Sequence, residues 1–131
     1  MEQDSAQPHG DPRHRRGAAA EALAADFVRA RGLQIIARNF RCRAGELDLV
    51  CSADDLLVVI EVRQRSRERF GGAAASVGAT KQRRIRRATA YFLLRERQWC
   101  RHRLRFDVIA VSGDTDVAPV VDWIRDAFRP R

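Results

Sequence analysis

Apolar positions along the chain fall into two kinds of spacing, and these predict the order of its elements. Residues 1–16 are polar and aperiodic, interrupted by Pro8, Gly10 and Pro12, and are expected to form a flexible arm. From Gly17 to Arg31 the spacing becomes helical: Leu23, Phe27 and Ala30 recur beside Ala20, Ala24 and Val28, and Gly32 follows as a stop. Three strand-like stretches come next, at residues 33–40, 45–51 and 56–63. The polar segment from Ser52 to Asp55 suits a tight turn between the last two. A loop with Gly71, Gly72 and three alanines leads to a helix at about 79–98, whose buried stripe should be Ile85, Ala88 and Phe92. A strand at 104–111 follows. The spacing of Trp123, Ile124, Ala127 and Phe128 predicts a short amphipathic helix at the end. The expected order is α-β-β-β-α-β-α, a single α/β domain over 17–131 with a mixed sheet between helices.

Composition narrows the class. A chain of 131 residues, 45% of them hydrophobic, can bury one modest core. The formal net charge of +8 points to a polyanionic partner, nucleic acid before a membrane surface. The longest aliphatic run, Leu56 to Ile60, is far too short to span a bilayer, and residues 1–16 have no apolar core of a secretory signal. Cys42, Cys51 and Cys100 are odd in number and far apart. His9, His14 and His102 do not complete zinc-ligand spacing with them. They read as free thiols in a reducing cytoplasm, which makes the expected location cytoplasmic.

The chemistry concentrates on the hairpin of the second and third strands. Residues two apart in a strand share a face, so Glu46 and Asp48 should point one way while Leu47 and Leu49 point the other. Glu61 and Arg63 should likewise lie opposite Val58, Ile60 and Val62. A two-residue turn at Asp54-Asp55 would set Asp48 across from Glu61 and Glu46 across from Arg63. Two carboxylates so close repel, and a hard divalent cation, Mg²⁺ or Mn²⁺, relieves the repulsion. The alternative is two surface strands with a Glu46–Arg63 salt bridge. Against it, Leu57 to Ile60 is apolar on both faces, as expected of a covered central strand in which a charge needs a partner or an ion. Glu21 lies in line with Ala24, Ala25 and Val28 and could join the pair. It could equally be a first-turn acid favoured by the helix dipole.

These residues resemble a known pattern. Gly45-Glu46-Leu47-Asp48-Leu49-Val50 followed by Val59-Ile60-Glu61-Val62-Arg63 is similar to the two-part signature of the PD-(D/E)xK nuclease superfamily. With Phe70 to Val77, Lys81-Gln82 and Arg105-Phe106-Asp107-Val108, the chain resembles the bacterial YraN family from about Gly17 to Phe128. The resemblance implies a restriction-endonuclease-like α/β fold, similar to archaeal Holliday-junction resolvases. It also implies metal-dependent phosphodiester cleavage in nucleic acid, DNA first and branched intermediates in particular. It makes Asp48 and Glu61 the metal ligands and Glu21 the helix glutamate of resolvase-type sites. It sets Gln82 to meet substrate or water, and brings the 70–77 loop near a phosphate. Resolvase-like enzymes often act as dimers, so a homodimer is expected by analogy. One departure stands out: the superfamily's lysine, two residues after the second acid, is Arg63 here. A guanidinium stays protonated and cannot act as a base, but it can clamp a phosphate. Activation of an attacking water would then fall mainly to the metal.

The basic residues include 24 arginines and one lysine, Lys81. Lys81 could place a compact ammonium near the site, or be a leftover cation at a helix start. Lys81, Arg83, Arg84, Arg86 and Arg87 fill two turns of the second helix, and Arg63, Arg65, Arg67 and Arg69 alternate before it. Arg63, Arg65, Lys81, Gln82, Arg84 and Arg87 are the expected contacts to nucleic acid, through backbone phosphates without base readout. Asp107 is expected in a buried network or at a strand end. Tyr91, Trp99 and Trp123 are expected in the core or an interface. Two other classes compete with a nuclease. A nuclease fold with a weakened site would only bind nucleic acid, and Arg63 favours that reading. A protein–protein adaptor would leave the basic stretches incidental.

Overall fold

The computed structural model describes residues 12–65, 77–113 and 118–130, without the side chains of 12–16 and 65. Helix α1 spans Pro12–Ala30, followed by strands β1 (Gln34–Cys42), β2 (Gly45–Ala53) and β3 (Leu56–Arg65). Helix α2 (Ala79–Arg95) and a 3₁₀ turn (Arg97–Trp99) lead to β4 (Arg103–Ser112) and β5 (Val120–Phe128). The strands form one sheet in the order β1-β2-β3-β4-β5. Only β3 and β4 run parallel, and the connection between them carries α2.

The helices cover opposite faces. On one face Ala20, Ala24, Ala25 and Val28 of α1 pack with Leu49, Cys51, Val58, Ile60, Ile109 and Val111. On the other Ile85, Ala88 and Phe92 of α2 pack with Leu47, Val50, Leu57, Val59, Phe106, Val108 and Phe128. β3 is therefore buried on both faces, as its run of aliphatic residues requires. This three-layer α/β/α arrangement around a mixed sheet is the expected restriction-endonuclease-like fold. Among the described residues no helix is long and apolar enough to cross a membrane.

The local signals explain most boundaries. Gly32, at φ 95°, ends α1: its N–H donates to Arg29 O at 3.0 Å and that of Leu33 to Val28 O at 3.1 Å. This is the double hydrogen bond of a left-handed glycine cap. Ala53 pairs with Leu56, leaving Asp54-Asp55 as the two-residue turn, with Asp54 at φ 54°. Arg103 clamps the Asp55 carboxylate through Nε and a terminal nitrogen at 3.1 and 3.2 Å, and so pins the hairpin to the start of β4.

Two boundaries differ from expectation. α1 begins at Pro12, so the helix takes in five residues expected in the arm; residues 1–11 lie outside the described ones. The last element is an edge strand, not a helix, which makes the order α-β-β-β-α-β-β. Between the pairs Phe106↔Phe128 and Val108↔Ile124 the register shifts, and Asp126 takes φ 55°. β5 is covered on both faces, with Val121 and Trp123 toward α1 and Ile124, Ala127 and Phe128 toward α2. In the sequence, adjacent apolar residues that belong to opposite faces of a strand imitate helical spacing.

Candidate active site

The carboxylates meet where the sheet forks. Hydrogen-bonded pairing of β2 with β3 runs from Ala53↔Leu56 to Leu49↔Ile60 and ends there. Beyond that pair, Val62 N–H donates to the Asp48 side chain, Oδ2, at 2.9 Å. A carboxylate thus takes the place of the next backbone acceptor and enters the gap between diverging strands. On the β1 side the pairs Arg38↔Leu49 and Phe40↔Leu47 leave Asn39 level with Asp48. Asn39 adopts φ 51°, a conformation asparagine tolerates better than most residues.

Here both strands turn over. Leu49 packs on the α1 side but Leu47 on the α2 side, although strict alternation would keep them together. The expectation that Leu47 and Leu49 share a face is corrected: the twist at Asn39 and Asp48 breaks the period of two. The same twist takes Glu46 outward, where it pairs with Arg41 of β1 (Nε to Oε1, 3.2 Å).

Asp48 and Glu61 come together as expected. Burial, then the Glu61 charge, push the Asp48 carboxyl up to about 7, against the lowering effect of the Val62 hydrogen bond. The Asp48 and Glu61 side chains are within hydrogen-bonding reach of each other. Glu61 is also met from α2, where Lys81 Nζ stands 3.3 Å from its Oε2. Glu21 joins them electrostatically from α1. Burial raises its pKa first; a hydrogen bond with the Asn39 side chain and the Arg38 charge oppose this, while Glu46 and Glu61 reinforce it. Because α1 begins at Pro12, Glu21 lies in mid-helix, and the first-turn dipole explanation falls away.

The basic residues divide. Arg63 follows Glu61 by two on β3, and its backbone pairs with Ala110 of β4. Lys81, Arg83, Arg84 and Arg87 are exposed along α2. Gly45 places the β1–β2 turn beside α2, where a Cβ would meet that of Arg84 in ordinary contact at 3.5 Å, so its φ of 152° and not the space favours glycine. Gln82 is half-buried and engaged within its own helix start. Its Nε2 donates to Val77 O at 2.8 Å and its Oε1 accepts from Arg86 at 2.9 Å, which fixes the start of the helix. The Arg65 side chain, Arg67, Arg69 and the 70–76 part of the loop lie outside the described residues.

Asp107 belongs to the expected buried network. Fully buried, it accepts from Arg105 through two nitrogens at 2.8 Å each, from Trp123 Nε1 at 2.9 Å and from Asp126 N–H at 2.9 Å. All three cysteines are free; burial raises the Cys51 thiol to about 12 and makes it inert at neutral pH. Asn39 is the residue that sequence reasoning missed. Its only signal was an Asn inside an otherwise strand-like run, the residue type enriched where φ turns positive.

Among the described residues no three His, Cys, Asp or Glu stand close enough to form a complete cation cage. The Asp48–Glu61 pair is a partial one, made of hard oxygen donors. Mg²⁺ suits such a pair, since it commonly uses one or two carboxylates and keeps waters or substrate phosphates for the rest.

The model of the uncharacterised protein family UPF0102 matches residues 20–111, a span that includes Glu21, Asp48, Glu61 and Lys81. A UPF0102 protein of Bordetella avium (strain 197N) is 49% identical over 120 residues, covering 92% of this chain and 79% of the relative. One from Pseudomonas putida (strain W619) is 43% identical over 112 residues, covering 86% and 91%. One from Halorhodospira halophila (strain DSM 244 / SL1) is 44% identical over 119 residues, covering 91% and 90%. With most of its length matched in this way, the chain belongs to the uncharacterised protein family UPF0102, the YraN-type family.

Proposed function

We propose that the protein is a divalent-metal-dependent nuclease that hydrolyses phosphodiesters in nucleic acid, with DNA, and branched DNA in particular, as the substrate. One observation carries this reading. Asp48 and Glu61 converge at a fork in the sheet, and the Asp48 carboxyl is held near 7 by burial and its neighbour's charge. Converging carboxyls perturbed by burial and by each other are concentrated at functional sites. A bound Mg²⁺ or Mn²⁺ would supply Lewis-acid stabilisation of the reacting phosphate.

The remaining work falls to this chain's own side chains. Asp48 and Glu61 would hold the cation, and the Val62 N–H fixes the direction of the Asp48 carboxylate. Glu21, steadied by Asn39, adds negative potential that favours a cation over a bare proton. Arg63 offers a permanently charged fork to a phosphate oxygen. Exposed Arg84 and Arg87 extend the positive surface along α2, where a phosphate backbone can lie.

The test is cleavage of labelled four-way junction, flap, single-stranded and duplex DNA with Mg²⁺ or Mn²⁺, beside Asp48→Ala and Asp48→Asn. The expected result is metal-dependent cutting that falls at least about 100-fold in both variants, more than the loss of a supporting residue costs. Equal cutting by wild type and variants would overturn the assignment. No cutting by any of them, with DNA binding intact, would favour the binding module that Arg63 suggests.

A further inference from the structure

Lys81 is the one lysine among 25 basic residues, and its position is electrostatically unusual. It lies in the first turn of α2, where the helix dipole disfavours a cation and no acid is present within the turn. What holds its ammonium is Glu61, across the gap on β3, at 3.3 Å. The Glu61 side chain is only 12% exposed and the Lys81 side chain 49%, so the carboxylate is fixed in the site while the lysine stem lies half in solvent.

We infer that Lys81 is a stand-in cation: it neutralises Glu61 while the Asp48–Glu61 pair holds no metal, and gives the carboxylate up when a divalent cation binds. The inference rests on the reading of Asp48 and Glu61 as cation ligands. Two nearby carboxylates need a counter-charge to avoid repulsion, and an ammonium supplies it. Lysine suits a temporary partner better than arginine. Its compact charge rides on a flexible four-carbon stem, whereas a guanidinium grips a carboxylate through a two-pronged planar fork. In a chain that otherwise uses arginine throughout, the exception falls where the ion pair must break. Once released, the ammonium stays beside the site and can meet the phosphate that accompanies the cation.

The test is Mn²⁺ binding without nucleic acid, read from the electron paramagnetic resonance signal of free Mn²⁺ at constant ionic strength. Wild type would be compared with Lys81→Met, Lys81→Gln, Lys81→Arg and Asp48→Asn. Removing the competing charge should tighten binding by about 5-fold in both Lys81→Met and Lys81→Gln, the scale of a partly exposed ion pair. Lys81→Arg should bind more weakly than wild type. Unchanged or weaker binding in the two neutral variants would overturn the stand-in role while leaving the metal site intact. Wild type that binds no better than Asp48→Asn would overturn the metal reading itself, and the role of Lys81 with it.

Discussion

At the scale of single residues, the Asp48 carboxyl stores an electrostatic cost that pH can reveal. Its folded pKa, near 7, lies above the ordinary value of 3.8, so between those values the folded state holds a proton that the unfolded chain has lost. Stability of the metal-free protein should therefore fall as pH rises from about 4 to 7 and level off above. Asp48→Asn keeps an acceptor for Val62 N–H and removes the charge. It should stabilise the metal-free protein by about 2 kcal/mol at pH 8 and by almost nothing at pH 4. Urea unfolding at the two pH values checks this; parallel stability profiles for the two proteins would count against it. Of the residues around Asp48, Glu61 was legible in the sequence, because a charge that continues a doubly apolar strand is rare without a purpose. Asn39 was not, since its importance comes from a backbone angle that brings it to Glu21.

At the scale of elements, β5 shows how a strand covered on both faces misleads a periodic reading. Val120, Val121, Trp123 and Ile124 are strand-forming residues, but β5 places apolar residues on both faces, Trp123 toward α1 and Ile124 toward α2, and their adjacency reads as helical spacing. Beside the backbone ladder, Asp107 ties β5 to β4 by accepting from the Asp126 backbone and the Trp123 indole together with Arg105. Asp107→Ala would strand the Trp123 indole and Asp126 backbone donors and leave Arg105 without its partner. It should cost about 3 kcal/mol of stability, as the breaking of buried charged networks does. Equilibrium unfolding measures the loss; a change under ~0.5 kcal/mol, typical of a surface site, would mean that the network is not what holds the edge strand. The boundaries that were read correctly, Gly32 after α1 and Asp54-Asp55 between β2 and β3, depend on backbone chemistry local to a few residues.

For the molecule as a whole, a net charge of +8 coexists with a cluster of acids that basic residues border: Lys81 meets Glu61, and the Arg38 charge acts on Glu21. The carboxylates occupy the fork between β2 and β3, while Arg83, Arg84 and Arg87 lie exposed on α2. If those arginines meet phosphates, Arg84→Ala and Arg87→Ala should each weaken DNA binding to a similar degree for every sequence. Each should also reduce the slope of log affinity against log salt by about 1. Titrations at three salt concentrations decide it, and unaltered slopes would place the nucleic acid elsewhere. The sequence by itself determined the order of the first six elements, the doubly buried β3 and the Asp48–Glu61 pair, because periodicity and turn chemistry act over a few residues. Tertiary structure alone decided that β5 is a strand, that both hairpin strands turn over at Asn39 and Asp48, and that Gln82 binds its own helix start. It also brought Lys81 to Glu61. Apart from the Gln82 contacts, which are local, each of these depends on groups distant in the chain meeting across the sheet, and no local spacing encodes such a meeting.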